Sequence, residues 1–182
     1  MKRLLLAVVF IATLGTLALA DVPIPKDYRP RNSTPGRCAW CALEALGRYH
    51  GYDSMKGLTA RNNRVGRRTW YEDELKRHNV KYEIAMYEGS KKTHRWKFDK
   101  RTIETWDTAW LEWASKKGYG CAVGLWETGG NKHMLVLTEF NREERTVKII
   151  DSNNPRKETE TVTLAWFLSR WDGMVVIIHP RE

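Results

Sequence analysis

Three residues that are able to carry out nucleophilic acyl transfer lie far apart in the sequence, at Cys38, His133 and Asp151. Cys38 follows the pair Pro35-Gly36, which cannot sit inside a helix, so its thiol lies in or just before the first turn of a predicted helix. Unpaired N–H groups and the positive end of the helix dipole favour an anion there, and this lowers the pKa of a thiol. Cys38 is therefore a candidate nucleophile.

The helix that begins near Cys38 is predicted by apolar residues spaced three and four apart. They are Cys38, Cys41, Ala42, Ala45, Leu46 and Tyr49. Such a stripe is typical of a buried helix face. Two other interpretations of the thiols stay open. In the first interpretation, Cys38 is a buried cysteine with a structural role. In the second, it forms a redox pair with Cys41, because the two have the C-x-x-C spacing; no βαβ pattern, which a thioredoxin-like site needs, precedes them.

His133 begins a predicted strand, and Asp151 ends the next strand along the chain. Residues 133–140 and 146–150 are expected to pair antiparallel across the turn at 141–144. This pairing brings a base close to a carboxylate that can hold its second ring nitrogen. Each residue taken alone also has a purely structural interpretation. His133 would then be a surface-loop histidine, and Asp151 would initiate the turn before Asn153-Asn154-Pro155. Taken with Cys38, they indicate a catalytic site.

The remaining periodicities complete the prediction of an α+β fold, with helices first and then an antiparallel sheet with one late helix. Helices are predicted over residues 69–78, 106–117 and 164–171, and strands over 80–87, 121–126 and 174–178. Thr69 and Glu72 have the spacing of a capping box. The charged residues 88–100 are predicted as a surface loop.

The chain length of 182 residues, with 42% apolar content and nine Trp, is enough for one domain with a real core. Residues 1–20 have two basic residues, an apolar run and a small-x-small ending, which predicts a secretory signal peptide, with an uncleaved anchor as the alternative. Residues 21–31 hold three of the six prolines and are expected to form an extended leader that packs late or stays loose. The mature protein is expected to be secreted or periplasmic, without a transmembrane segment, and residues 32–182 form its domain.

The formal net charge is +9, and it falls to +7 once residues 1–20, with Lys2 and Arg3, are removed. Positive charge concentrates in residues 56–68 and 91–101. These segments either attract an anionic envelope surface or acidic polymer or form a solvated basic face. No nucleic-acid partner is expected, because no helix-turn-helix, zinc-finger or RNA-binding motif accompanies the charge.

The cysteines and histidines bear on cofactors and disulfides. Three Cys and five His are scattered without ligand spacing, so no metal or organic cofactor is expected. Three cysteines in an exported protein imply one disulfide and a free thiol, or three reduced thiols. Cys41 with Cys121 is the pairing to consider, because both lie in apolar settings and Cys38 then stays free.

Three segments together resemble the papain-like cysteine peptidases related to the bacteriocin-leader (double-glycine) peptidases. The matching pieces cover roughly half of the mature chain and read GRCAWCALEALGRYHG, NKHMLVLTEFNREERTVKIIDSNNP and TLAWFLSRWDGMVVII. The resemblance implies a papain-like fold, with an N-terminal nucleophile helix and further helices packed on an antiparallel sheet. It also implies cleavage of an amide bond in a peptide or protein substrate, with Cys38 as nucleophile, His133 as base and Asp151 as the residue that orients it.

The same resemblance implies an oxyanion donor. An amide side chain a few residues before the nucleophile, usually Gln, has this role in the family, and Asn32 stands six residues before Cys38 here. If Cys41 were the nucleophile, Pro35 would occupy that position and could donate nothing. Two alternatives from other functional classes stay open: a transglutaminase-like acyl transferase, and a non-catalytic papain-like module that binds a cell-envelope polymer or a protein.

Overall fold

The computed structural model describes residues 21–62, 67–85, 95–98, 101–104 and 108–182. The helices of these segments are α1 Cys38–Tyr49, α2 Leu58–Arg61, α3 Arg68–Arg77, α4 Ala109–Lys116 and α5 Leu164–Arg170. The strands are β1 Tyr82–Ala85, β2 Arg95–Phe98, β3 Arg101–Glu104, β4 Cys121–Trp126, β5 Lys132–Asn141, β6 Thr146–Ile150, β7 Glu160–Thr163 and β8 Trp171–Ile178. The predicted signal peptide at residues 1–20 lies outside the described residues.

Six of the strands form one antiparallel sheet in the order β1-β8-β4-β5-β6-β7. Strands β4 to β7 are neighbours in sequence order, while β8 returns from the end of the chain and inserts between β1 and β4. Strands β2 and β3 pair with each other in a separate hairpin. The sheet and the helices around it confirm the α+β class.

Both faces of the large sheet are covered, and the side chains of its strands alternate between two cores. Met134 and Val136 of β5 belong to one hydrophobic core, whereas Leu135 and Leu137 belong to the other. Successive side chains of a strand point to opposite faces, so a strand buried on both sides reads as a continuous apolar run. This explains why β4, β5 and β8 lack an alternation of apolar and polar residues.

Helix α1 packs across the first of these cores. Its residues from Cys38 to Gly47 are all buried, including Leu43 and Leu46. Gly47 has a steric role, because a Cβ atom there would lie 2.9 Å from the Cγ and Cε atoms of Met55. Fully burying a leucine side chain contributes about 1.5–3 kcal/mol. The two leucines therefore help to hold the start of α1 at a constant position against the sheet.

The second core lies on the opposite face of the sheet. Leu111 and Ala114 of α4 and Phe167 of α5 are fully buried in it. Phe140 of β5 meets Phe167 edge to face, with ring centroids 6.4 Å apart. The sheet is thus held between α1 on one face and α4 with α5 on the other. None of the helices in the described part of the chain has the length and apolar character needed to cross a bilayer.

Residues 21–31 are packed rather than loose. Val22 and Ile24 are buried in the α1 core, and the Val22 N–H donates to the Thr138 carbonyl oxygen at 3.2 Å. The Arg48 guanidinium lies over the Tyr28 ring at 4.4 Å. The segment is extended apart from a single 3-10 turn over Lys26–Tyr28. Val22 and Ile24 anchor the segment to the core, whereas its prolines had suggested only an extended chain.

The predicted capping box at Thr69 is wrong. Helix α3 already begins at Arg68, and Arg67 before it makes no capping hydrogen bond with its side chain. The Glu72 carboxylate instead accepts a hydrogen bond from Arg68 Nε at 3.0 Å. The Glu72 carboxylate, which a capping box would use to accept from a backbone N–H, therefore pairs with a residue four positions earlier on the helix surface.

Three strands of the described chain, β2, β3 and β7, were missed by the sequence patterns. The predicted loop at 88–100 contains β2, which pairs with β3 in register from Arg95 opposite Glu104 to Phe98 opposite Arg101; residues 86–94, 99 and 100 lie outside the described residues. Strand β7 pairs with β6 at the edge of the large sheet. All three missed strands are four residues long and half or more polar, so hydrophobic periodicity does not reveal them.

The considered disulfide between Cys41 and Cys121 is also wrong, because Cys38, Cys41 and Cys121 are all free thiols. Cys41 lies on α1, against one face of the sheet. Cys121 belongs to the core on the other face. A disulfide requires Cα atoms within about 7 Å, and the sheet separates these two residues.

Candidate functional site

Cys38 is the first residue of α1, and the preceding turn leads the chain directly into the helix. Gly36 has a φ of 86°, a left-handed conformation that glycine adopts without strain. The side chain of Arg37, which precedes the helix, makes no capping hydrogen bond. The first N–H groups of α1 are therefore available to an anion beside the thiol, which is itself 9% exposed.

The pKa of the Cys38 thiol lies below its ordinary value. Burial by itself would raise this pKa, but a hydrogen bond with the His133 side chain opposes burial most strongly. The backbone N–H groups of Met134 and Ala39 add further hydrogen bonds, and the positive charge of His133 adds attraction. Since His133 and Met134 are consecutive residues of β5, one strand provides two of the groups that stabilise the thiolate.

His133 lies near the start of β5, opposite Leu125 of β4, and is 8% exposed. Its Nε2 atom lies 2.8 Å from Asp151 Oδ1, which leaves Nδ1 as the ring nitrogen available to Cys38. Burial by itself would lower the pKa of His133, but the hydrogen bonds with Asp151 and Cys38 raise it well above its ordinary value. The arrangement thus favours an imidazolium paired with a thiolate.

Asp151 follows β6 directly and makes two contacts with one oxygen. Oδ1 accepts the hydrogen bond from His133 and another from the Asn153 N–H at 2.8 Å. Burial by itself would raise the pKa of Asp151, but these two hydrogen bonds and the positive charge of His133 lower it. The Asn154 N–H donates to the Asp151 carbonyl oxygen at 3.0 Å, so the residue also closes a turn.

The Asn32 amide lies beside the loop that carries Asp151. Its Nδ2 donates to Asn153 Oδ1 at 2.9 Å, and its backbone N–H donates to the Ser152 carbonyl oxygen at 2.9 Å. Its Oδ1 is buried and has no hydrogen-bond partner in the described part of the chain. One amide hydrogen of Asn32 is therefore in use, and the predicted oxyanion role depends on the other.

The other two thiols have surroundings that suppress ionisation. Burial raises the pKa of Cys41 to about 11, and weaker hydrogen bonds with Thr59 and Ser152 lower it only in part. Complete burial raises the pKa of Cys121 further. Among the three thiols, only Cys38 has its pKa lowered, so it is the thiol whose surroundings favour ionisation.

A cluster that sequence patterns did not reveal is formed by residues of β4, β5 and β8, and Tyr71 lies between it and Cys38. The Asp172 carboxylate accepts from Lys132 Nζ at 2.9 Å and from the Met174 N–H at 2.9 Å. Gly124 makes room for this carboxylate, because a Cβ atom there would lie 2.5 Å from Asp172 Oδ1. Burial raises the pKa of Tyr71, and the charges of Cys38 and Asp172 raise it further. The only signal in the sequence was the glycine inside an apolar strand.

Asn153 is the other group that the sequence patterns did not assign to the site. It contacts three of its members, through its N–H to Asp151, its Oδ1 to Asn32, and its Nδ2 at 3.4 Å from His133 Nε2. The asparagine-rich turn after β6 was recognisable in the sequence, but its closeness to His133 depends on the pairing of β5 with β6.

No model of a known protein family matches the sequence. No curated protein matches it either. Among solved structures, the fold is similar to the crystal structure of the peptidase domain of Streptococcus ComA, a bifunctional ABC transporter involved in a quorum-sensing pathway. The TM-score is 0.58 at 13% sequence identity, over 85% of this chain and 99% of that domain. The chain therefore has a papain-like peptidase fold, as the resemblance to the bacteriocin-leader peptidases predicted.

Proposed function

We propose that this protein is an exported, thiol-dependent hydrolase that cleaves an amide bond in a peptide or protein by a Cys-His-Asp mechanism. The observation that carries the proposal is the chain of contacts from Cys38 through His133 to Asp151, together with the lowered pKa of the Cys38 thiol. A lowered thiol pKa, a base and a group that orients the base are the parts that nucleophilic catalysis by cysteine requires. The fold shared with a peptidase domain supports the same chemistry.

In the proposed first step, the Cys38 thiolate attacks the carbonyl carbon of the substrate amide, and the carbonyl oxygen becomes an oxyanion. The His133 imidazolium gives its Nδ1 proton to the leaving amine as the C–N bond breaks, which leaves a thioester on Cys38. Neutral His133 then takes a proton from water, and the hydroxide equivalent releases the acid and regenerates the thiolate. Asp151 keeps Nε2 protonated throughout, so that Nδ1 faces the reaction.

The oxyanion needs donors that are already in place when its charge develops. The Cys38 backbone N–H lies at the start of α1, where helical N–H groups have no partner within the helix. We propose the second amide hydrogen of Asn32 as the other donor. Fixed donors of this kind contribute a large share of catalysis, since loss of one costs about 10²–10³-fold in turnover.

The choice between Cys38 and Cys41 as the nucleophile can be tested by alkylation with iodoacetamide as a function of pH. In wild type, one thiol should react at a rate that rises below the ordinary thiol range near pH 8.5, because a lowered pKa keeps the thiolate populated there. Cys38→Ala should abolish this fast reaction and Cys41→Ala should preserve it, as read by mass spectrometry of the labelled peptides. Fast labelling that persists in Cys38→Ala would transfer the role to Cys41, and slow labelling of both would favour the binding module.

The contribution of Asp151 and His133 is tested with the same reagent. Asp151→Asn should leave the fold nearly intact, but its weaker acceptor should shift the alkylation profile of Cys38 towards the free-thiol range. His133→Ala should shift it further, since burial then raises the thiol pKa with no opposing imidazolium. Circular dichroism checks the fold of both variants. Identical alkylation profiles for wild type, Asp151→Asn and His133→Ala would mean that Cys38, His133 and Asp151 do not act together.

The oxyanion role of Asn32 predicts a loss of turnover without a loss of thiolate. For a fluorogenic peptide amide that the wild type cleaves, Asn32→Ala should lower kcat by about a hundredfold. The alkylation profile of Cys38 should stay unchanged in the same variant. A profile displaced as in Asp151→Asn would instead show that Asn32 acts through Asn153, and would remove it from the oxyanion site.

Export is tested on the product of expression. If residues 1–20 form a cleaved signal peptide, the exported protein should begin at Asp21, and intact-mass measurement should give the mass of residues 21–182. The basic, apolar and small-residue regions of this segment support the proposal. A protein that retains Met1 and sediments with membranes would show that the segment is an anchor.

A further inference from the structure

An open groove of about 1020 Å³ lies between the N-terminal segment and the loop after β6. Of the charged residues that line it, five are cationic and one, Asp27, is anionic. The cations are Lys26, Arg29, Arg31, Arg156 and Lys157. We call this feature the basic groove. It is separate from the two basic segments at 56–68 and 91–101 that stood out in the sequence.

Two of the groove's cations are already neutralised. Lys26 pairs with the Glu158 carboxylate, and Lys157 Nζ lies 2.9 Å from Glu160 Oε2. Exposed pairs of this kind contribute little to stability, but each one reduces the positive field that a ligand meets. The remaining positive charge of the groove therefore comes from its three arginines.

The arginines differ in how they are held. Arg29 is fixed by backbone carbonyls, because Nε and NH2 donate to Ile24 O at 2.9 and 2.6 Å and NH1 donates to Lys157 O at 3.1 Å. Arg31 and Arg156 are exposed, and their side chains make no ion pair or hydrogen bond with any residue that the structure describes. The groove thus presents two free guanidinium groups beside a third that is held in place.

The basic groove adjoins the candidate catalytic site through Asn153. Asn153 lines the groove, and its N–H donates to the Asp151 oxygen that accepts from His133. Arg31 immediately precedes Asn32, whose amide donates to Asn153. A chain lying in the groove would therefore pass beside Asn153, which contacts both Asp151 and His133.

We propose that the basic groove binds carboxylate side chains of an acidic peptide segment that flanks the scissile bond of the substrate. The inference rests on the proposed hydrolase function and names the substrate class for the same site. Free guanidinium groups match carboxylates with two parallel hydrogen bonds, which is why arginine is favoured for this recognition. The carboxamides of Asn153 and Asn154, which also line the groove, suit the N–H and C=O groups of a peptide backbone.

The composition of the groove favours a peptide over a nucleic acid. No aromatic residue is among those that line it in the described chain. Proteins that bind single strands stack bases on aromatic rings along a continuous basic track. Two free arginines and one fixed arginine instead match a small number of discrete carboxylates.

The test measures binding of a fluorescein-labelled, glutamate-rich peptide to the full-length protein with Cys38→Ala, which prevents turnover. The matched probe has Gln at every Glu position. The groove variant carries Arg31→Gln and Arg156→Gln. The control variant carries Lys76→Gln and Lys117→Gln, which remove the same net charge from exposed positions on α3 and at the end of α4.

The glutamate peptide should bind more tightly than the glutamine peptide, and the difference should shrink as salt is added. The groove variant should weaken binding of the glutamate peptide by about tenfold, since each hydrogen-bonded ion pair contributes about threefold or more. The control variant should stay within about twofold of the parent, as expected for distant surface charges.

Equal affinities for the two peptides, or equal losses in the groove and control variants, would overturn the proposal. A single-stranded oligonucleotide that binds more tightly than the glutamate peptide, and loses affinity in the groove variant, would assign the groove to nucleic acid instead. With Cys38 restored, the groove variant should keep the wild-type alkylation profile. Failure of peptide binding with that profile intact would count against the groove alone, and would leave the proposed hydrolase standing.

Discussion

The structure around the site depends on one interaction in a largely buried place, the contact of the Cys38 thiol with the His133 imidazole, whose pKa shifts favour the thiolate and the imidazolium. Two unit charges about 4 Å apart attract by about 4 kcal/mol at an intermediate dielectric. Burial costs several kcal/mol for each ion, so this attraction does not stabilise the pair by itself. The hydrogen bonds from the Met134 and Ala39 backbones, and from His133 to Asp151, offset the difference. The pair is therefore stable only where a helix start, a strand and a carboxylate meet.

The sheet is what brings those three groups together. Strand β5 supplies the His133 side chain and the Met134 N–H on consecutive residues, while its pairing with β6 delivers Asp151 to the same place. Helix α1 is held against this face by leucines that have no exposure, and the second core fixes the sheet from behind. Core packing thus sets the geometry of the site, because a shift of α1 along the sheet would separate Cys38 from His133.

Much of the fold was predictable because its signals are local. The stripe on α1, the turn before Cys38 and the hairpin of β5 with β6 are all read from neighbouring residues, and the hairpin brings His133 to Asp151. The approach of Cys38 to His133 was expected from the resemblance to papain-like peptidases, because it depends on how α1 packs on the sheet. What sequence patterns missed depends on contacts between distant segments. The separation of Cys41 from Cys121 by the sheet and the position of Asn153 beside His133 are of this kind. The prediction of a capping box at Thr69 was wrong for another reason, because the Glu72 carboxylate accepts a hydrogen bond from Arg68 instead.

The structural and the functional interpretations of Asp151 turn out to be compatible. As a turn-initiating residue, it accepts a hydrogen bond from the Asn153 N–H with the same oxygen that contacts His133. The turn restrains the carboxylate independently of His133, so less side-chain entropy is lost in its contact with the imidazole. The turn also carries Asn153 and Asn154 into the basic groove. One short loop after β6 therefore links the orientation of the imidazole to the surface where an adjoining part of a substrate would lie.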